Sequence, residues 1–105
     1  MKTLDEIYID FERSKKKASE IDEIAAEMER IANGELSESM RQLSNAWKGE
    51  ASEAYQQKLC LMQEQIWRNA KEMKTTAESI RSIAKRTYNA EKRAYQLAIE
   101  RFYEQ

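Results

Sequence analysis

The stretch Ser44-Asn45-Ala46-Trp47-Lys48-Gly49-Glu50-Ala51-Ser52 decides the fold of this chain, because two long helical patterns meet there. Gly49 can adopt the left-handed backbone conformation that ends helices. Glu50 and Glu53 follow it, and acidic side chains are favoured in the first turn of a helix. The stretch therefore predicts a tight connection, with one helix ending before it and another beginning at its end.

Apolar side chains before the connection recur every three or four residues, as on one face of a helix. They are Ile7, Phe11, Ala18, Ile21, Ala25, Met28, Ala32, Leu36, Met40, Leu43 and Trp47. The phase of this pattern survives the Asn33-Gly34 pair, because Ala32 and Leu43 are separated by about three full turns. We interpret the pair as a bulge in a continuing helix. The alternative is a break, with Ser37 capping a short second helix.

The pattern after the connection has the same period. It comprises Ala51, Tyr55, Leu59, Met62, Ile66, Ala70, Met73, Ala77, Ile80, Ala84, Tyr88, Ala94 and Ala98. We predict one domain over residues 1–105, an all-α antiparallel helical hairpin with helices at 3–45 and 50–102. Folding the chain at 47–48 places Ile7 beside Tyr88 and Phe11 beside Ala84. It leaves residues beyond about 95 without a partner on the first helix.

The composition excludes many classes of protein. The chain has 105 residues, no proline, no histidine, two glycines and one cysteine. Without histidine there is no His-based metal site or catalytic triad, and two isolated glycines make no phosphate-binding loop. We expect no cofactor, no metal and no enzymatic activity, and we expect Cys60 to be a small buried apolar residue.

Charge and hydropathy limit the partners. The net charge of −1 favours no nucleic acid, although residues 1–40 carry 6 basic and 11 acidic side chains and residues 81–105 carry 6 basic and 3 acidic. No apolar run reaches the roughly 18 residues of a spanning helix, so we expect no stable membrane insertion. The acidic start of the chain lacks the features of a signal peptide.

Two helices alone make a poor core, and small scaffolds without disulfides or metals usually need a partner. Because the apolar faces are wider than one helix contact requires, we predict that two hairpins dimerise into a four-helix bundle. The residues expected at the core or dimer face are Phe11, Ile21, Met28, Leu43, Leu59, Met62, Ile66, Met73 and Ile80.

The tripeptide Trp47-Lys48-Gly49, placed between two helices in a chain of this length, resembles the WXG family. These are small helical hairpins exported by type VII (ESX) secretion systems of Gram-positive bacteria and mycobacteria. The resemblance implies a secreted protein that leaves the cytoplasm by a signal-peptide-independent route. It implies pairing with itself, with a related helical chain or with the helical N-terminal domain of a larger effector. It also implies contact with the secretion ATPase, and makes Trp47 and Gly49 part of the export motif.

The family's tail signal is Tyr, three residues, then Asp or Glu, and this sequence departs from it. Lys92 stands at the acidic position after Tyr88, and the nearest match is Glu91, one residue early. We predict a tail signal from Tyr88, Glu91, Tyr95 and Phe102. The alternative function is an intracellular structural hairpin with no export role. A membrane-active helix pair is disfavoured, because the polar face is mixed rather than basic.

Overall fold

The computed structural model describes residues 2–104, and those residues form helices joined by one short connection. Helix α1 spans Leu4–Arg30, a π-helical turn spans Ile31–Leu36, α2 spans Ser37–Ala46 and α3 spans Glu50–Glu104. No strand occurs within residues 2–104. The predicted all-α helical hairpin is therefore confirmed.

The chain divides into two compact units. Unit 1 combines residues 2–20 with 75–104, and unit 2 comprises residues 21–74. In unit 1 Leu4 lines a groove with Ile99, while Phe11 stacks on Tyr88. In unit 2 Asn33 bonds Trp67, and Met40 lies beside Cys60. The two helical segments of each unit thus run antiparallel.

The start of α1 is held by a side-chain cap. The Thr3 hydroxyl accepts a hydrogen bond from the Glu6 backbone N–H at 3.2 Å. This satisfies one of the amide groups that a helix leaves unpaired at its first turn. Asp5 and Glu6 lie in the same turn, where the helix dipole favours negative charge.

The predicted pairing of the two helical arms is wrong by about one helical turn. Phe11 stacks on Tyr88, with ring centroids 4.6 Å apart, rather than packing opposite Ala84. The reason is at the connection, where the Ser52 hydroxyl donates to the Trp47 carbonyl oxygen at 2.7 Å. Because Ser52 already lies beside Trp47, the chain reverses around Gly49 and not at 47–48.

The shifted pairing also changes which residues of the C-terminal segment have a partner. Tyr95 is half-buried and shares a groove with Leu4 and Ile99, although the sequence placed residues beyond about 95 outside the hairpin. The aromatic residues near the end of α3 are far more exposed, Phe102 at 74% and Tyr103 at 79%.

The fully buried core consists mainly of alanine. Ala18, Ala25 and Ala32 recur every seven residues on the first arm, and Ala70, Ala77 and Ala84 recur every seven residues on α3. A seven-residue repeat keeps the same residues at the contact between two helices over many turns. Small side chains at these positions let two helix backbones approach closely, so larger apolar residues lie at the sides of each contact.

The seven-residue repeat is interrupted once, at the π-helical turn. Counting from Ala32, the next buried position would be Ser39, but Ser39 is exposed and Met40 is half-buried. One residue has therefore been added between them. A π-helical turn holds one residue more than an α-helical turn does, and Ile31–Leu36 absorbs the addition without breaking the helix. The bulge interpretation of Asn33-Gly34 is the one that the structure supports.

Several residues expected on the apolar side of α3 are exposed, among them Ala51, Tyr55, Met62 and Ala94. Cys60 is exposed, with its sulfur 3.9 Å from the sulfur of Met40, and was expected to be buried. Met62 is 53% exposed. Within residues 2–104 no helix is both long and apolar enough to cross a bilayer.

A helix connection and an exposed aromatic tail

The connection between α2 and α3 covers residues 47–49, and two of them have distinct backbone tasks. Trp47 is extended, and its N–H donates to the Leu43 carbonyl oxygen at 2.9 Å, which ends α2. Gly49 has a φ of 115°, a conformation that residues with a Cβ rarely adopt. Its carbonyl oxygen accepts from the Glu53 N–H at 3.0 Å and so begins α3.

A buried serine secures the connection from inside. Ser52 is only 1% exposed, and its hydroxyl donates to the Trp47 carbonyl oxygen. The Gln56 side-chain amide donates to the same hydroxyl at 3.5 Å. A buried polar group costs free energy unless it is hydrogen-bonded, and here the serine also occupies a carbonyl left free by the end of α2.

The indole of Trp47 lies on the surface of the connection. Its ring is tilted against Tyr55, with centroids 6.1 Å apart, and the side chain is 42% exposed. Tyr55 is exposed as well. Two neighbouring aromatic rings of this kind offer a contact surface that a partner could cover.

The π-helical turn carries a second buried polar cluster in unit 2. The Gln63 side-chain amide donates to the Ala32 carbonyl oxygen at 2.6 Å and to the Ser37 hydroxyl at 2.7 Å. The Ser37 hydroxyl itself donates to Ala32 at 3.2 Å. Nearby, the Trp67 indole N–H donates to the Asn33 side-chain oxygen at 2.8 Å. α3 thus supplies partners to the segment where the α-helical bond pattern is interrupted.

Tyr88 and Glu91 of the predicted tail signal are engaged inside unit 1. Tyr88 stacks on Phe11, and Glu91 lies 3.1 Å from the Lys2 ammonium. Lys2 also contacts Asp10 at 2.9 Å. The hydrogen bond between Lys2 and Asp10 raises the pKa of the lysine and lowers the pKa of the aspartate, and Glu91 further raises the pKa of Lys2. We call Lys2, Asp10 and Glu91 the N-terminal clasp.

The predicted core and dimer face is partly buried in the single chain. All its members except Met62 are half-buried, namely Phe11, Ile21, Met28, Leu43, Leu59, Ile66, Met73 and Ile80. Several large apolar side chains beside this face are exposed, among them Ile24, Ile31 and Leu61. The chain therefore keeps apolar surface beyond what its own helix contacts cover.

Sequence reasoning missed Gln63, Ser52 and the N-terminal clasp. Gln63 stands seven residues before Ala70, at the buried position of the repeat, so a polar residue in phase with buried alanines was a usable signal. The capping motif Thr3-Leu4-Asp5-Glu6 was also readable. No such signal marks Lys2, whose two partners are brought to it by the tertiary pairing.

Among residues 2–104 no three Asp, Glu, His or Cys side chains are grouped so that they could hold a metal ion. The surface carries several open grooves. One of about 340 Å³ in unit 1 is lined by the Phe11–Tyr88 pair and the N-terminal clasp.

These features define a small helical hairpin whose exposed aromatic and apolar groups suit contact with other proteins. The chain matches the model of the WXG100 family, described as proteins of 100 residues with WXG, over residues 6–92, and it belongs to that family. No curated protein and no solved structure matches it. Members of the family are small helical proteins that are associated with type VII secretion and pair with themselves or with other helical chains.

Proposed function

We propose that this chain is exported by a type VII (ESX-like) secretion system, by a signal-peptide-independent route from the cytoplasm. The observation that carries the proposal is the family match over residues 6–92, with Trp47 and Gly49 standing at the helix connection. Export motifs must be accessible to the machinery that reads them, and the Trp47 indole is partly exposed beside Tyr55.

The proposal includes pairing, as a homodimer or with a related helical chain, into a four-helix bundle. The half-buried apolar face and the exposed Ile24, Ile31 and Leu61 support it, because a two-helix chain of this size lacks a closed core. The partner could also be the helical N-terminal domain of a larger effector. No catalytic step is assigned to the chain, since its surface offers grooves for contact and its sequence has no histidine.

The tail of α3 is proposed to dock on the secretion ATPase through Phe102 and Tyr103, the most exposed aromatic residues. Two residues of the predicted tail signal are already in contact with other side chains of the chain: Tyr88 stacks on Phe11, and Glu91 pairs with Lys2. Side chains already used inside unit 1 are poorly placed for a receptor. The tail of the partner chain would then complete the signal that this chain carries only in part.

Export should be tested in a Gram-positive host with an active type VII system, with a second substrate of that system as an internal control. We expect the chain in the medium and expect its loss when the ATPase gene is deleted. Trp47→Ala should abolish export while the circular dichroism melt changes little. If Trp47→Ala unfolds the chain while Trp47→Phe is exported normally, the indole is a packing residue and the export role is wrong.

The alternative function, an intracellular structural hairpin, predicts a different result in the same experiment. The chain would then stay in the cells while the control substrate is exported. Sedimentation at micromolar concentration tests the pairing separately. A dimer, or a poorly folded monomer rescued by a partner, supports it, and a stable lone monomer contradicts it.

A further inference from the structure

Helix α3 carries, on its exposed side, a second row of residues at the spacing used in helix packing. Ile83, Arg86, Ala90, Arg93 and Leu97 are spaced alternately three and four residues apart, and all five are exposed. We call this set the outer stripe. Alternating intervals of three and four are the spacing with which one helix packs against another. The inner seam of the same helix, which includes Ala77 and Ala84, is already covered within the chain.

Among residues 2–104, no carboxylate is ion-paired with either arginine of the outer stripe. None of the positions three or four residues away from Arg86 or Arg93 is acidic. Glu91, the carboxylate of α3 nearest to both arginines in sequence, pairs with Lys2, and Glu78 pairs with Arg81. The next carboxylate, Glu100, stands seven residues after Arg93. Lys85 and Lys92 extend the positive surface beside the stripe.

The apolar side chains of the outer stripe are exposed to water, and covering them would be favourable. Ile83 is 54% exposed and Leu97 is 43% exposed, with Ala90 midway between them. An apolar row interrupted by guanidinium groups would bury its aliphatic residues only against a surface that also supplies acceptors. Guanidinium groups bind carboxylates in pairs of parallel hydrogen bonds.

We propose that the outer stripe is the docking surface for an acidic amphipathic helix of a different protein chain. The inference rests on the proposed pairing function and names the chemistry of the partner. Its helix would carry aliphatic residues alternating with Glu or Asp at the three-four spacing. Glutamates would face Arg86 and Arg93, and aliphatic side chains would cover Ile83, Ala90 and Leu97.

A second copy of this chain fits the stripe less well. If two outer stripes meet in register, parallel or antiparallel, Arg86 and Arg93 face each other or their own copies, and like charges in contact disfavour the pair. The nearest acidic match in the chain is Glu20, Ile24, Glu27 and Ile31. Both of its carboxylates are already paired, Glu20 with Lys17 and Glu27 with Arg30.

An anionic membrane surface would also attract the cations. On a membrane-bound helix, however, the basic residues lie beside a continuous apolar face, whereas Arg86 and Arg93 interrupt the apolar row of the stripe itself. A helix makes use of both features of the stripe, the spacing and the charge.

The test is a binding titration of the full chain with a synthetic helical peptide of about four heptads that carries Leu and Glu in the three-four spacing. A peptide with Lys in place of each Glu is the matched control. We expect the acidic peptide to bind with an affinity that falls as salt is raised, and the basic peptide not to bind. Equal binding of the two peptides would overturn the proposal.

The double variant Arg86→Glu, Arg93→Glu should weaken binding of the acidic peptide at least about tenfold. Lys58→Glu, Arg68→Glu makes the same charge change on exposed positions of α3 outside the stripe and should leave binding unchanged. Because all four positions are exposed, both variants should keep the wild-type helical content and melting. Equal affinity of the stripe variant and the control for the peptide would refute the assignment.

Two further measurements distinguish a failure of this inference from a failure of the proposed pairing. Vesicles of phosphatidylcholine and phosphatidylserine should not bind the chain, and binding to vesicles without binding to the acidic peptide contradicts the inference. If the chain forms a homodimer that the Arg86→Glu, Arg93→Glu variant retains, and it does not bind the peptide, the inference fails while the pairing stands. If the folded chain neither self-associates nor binds either peptide, both fail.

Discussion

At the scale of single residues, the two glycines have opposite roles. Gly49 has a φ of 115°, while Gly34 lies in the π-helical turn with no atom within 4 Å of the place where a Cβ would stand. A side chain at Gly49 would be strained whatever space surrounds it. At Gly34 the same side chain would only reduce the conformational freedom of the unfolded chain.

The same substitution should therefore have opposite effects at the two sites. Gly49→Ala should lower the free energy of unfolding by about 1–2 kcal/mol, the cost of left-handed backbone for a residue with a Cβ. Gly34→Ala should raise it by about 0.5–1 kcal/mol, the difference in helix propensity. Urea denaturation followed by circular dichroism measures both. Destabilisation by both substitutions would mean that the turn at Gly34 needs backbone freedom as well.

The N-terminal clasp gives a pH dependence whose sign follows from its pKa shifts. Because the hydrogen bond from Lys2 lowers the pKa of Asp10, the contribution is present above the unfolded pKa of the aspartate and is lost as the pH falls through its folded pKa. The raised pKa of Lys2 sets the upper end, where the contribution is lost as the pH rises through that pKa.

Lys2→Met should thus lower the melting temperature slightly at neutral pH, and not at a pH below the lowered pKa of Asp10, where the carboxyl is protonated. The effect is small because the clasp is solvent-exposed and screened. Lys16→Met, which removes an exposed lysine outside the clasp, is the control and should change neither melt. A difference between wild type and Lys2→Met that persists in acid would show that Lys2 acts through packing.

At the scale of helical elements, the π-helical turn is the main departure from regularity. It adds one residue to a seven-residue repeat, and Gln63 of α3 bonds the Ala32 carbonyl oxygen there. Gln63→Met keeps the volume of the side chain and removes the donor. It should cost about 1–3 kcal/mol, because the carbonyl and the Ser37 hydroxyl lose a buried partner. Gln57→Met, at an exposed position of the same helix, should be nearly neutral.

Deleting Gly34 should convert the π-helical turn to regular α-helix, because the repeat then continues from Ala32 to Met40 at seven residues. The Ala32 carbonyl oxygen would then accept from the backbone N–H four residues on, as in a regular α-helix, so Gln63→Met should cost less in the deletion background than in the wild type. A double-mutant cycle by chemical denaturation measures this coupling. Additive effects would indicate that Gln63 does not stabilise the turn.

The helices and their connection could be predicted from the sequence, but the register between the helices could not. The three-four periodicity, the lack of proline and the position of Gly49 were sufficient for the helices and their connection. They were not sufficient to predict which residues of the two helices face each other. That register depends on the contact between Ser52 and Trp47, and a shift of one helical turn leaves the apolar pattern equally well matched. The burial of Gln63 was not predicted, because glutamine is usually a surface residue. The roles of Trp47 and the tail remain predictions.

At the scale of the whole molecule, the C-terminal residues of α3 form two groups, one that is half-buried and one that is exposed. Tyr95 and Ala98 are half-buried, whereas Phe102 and Tyr103 are exposed. Truncation after Glu100 removes the exposed aromatic residues and should leave the melting temperature nearly unchanged, because exposed termini contribute little to the fold. Truncation after Ala94 should lower it, since it also removes Tyr95 and Ala98.

The same two truncations report on export when they are assayed in the host described above. Loss of export with an unchanged melt after the Glu100 truncation places the signal in the last residues. Normal export of both truncations would place the signal elsewhere or in the partner chain. A reduced melt after the Glu100 truncation would show that the last residues pack on the hairpin.

The positions of the two tryptophans have a consequence for spectroscopy. Trp47 at the connection and Trp67 beside the π-helical turn both belong to unit 2, and unit 1 contains tyrosine but no tryptophan. Intrinsic emission excited at the red edge of the absorption band therefore comes from unit 2 alone, while ellipticity samples every helix. Variants that keep only one tryptophan would report on the connection or on the π-helical turn separately. A partner that binds at the connection should quench or blue-shift the emission of Trp47 and leave that of Trp67 unchanged as an internal standard.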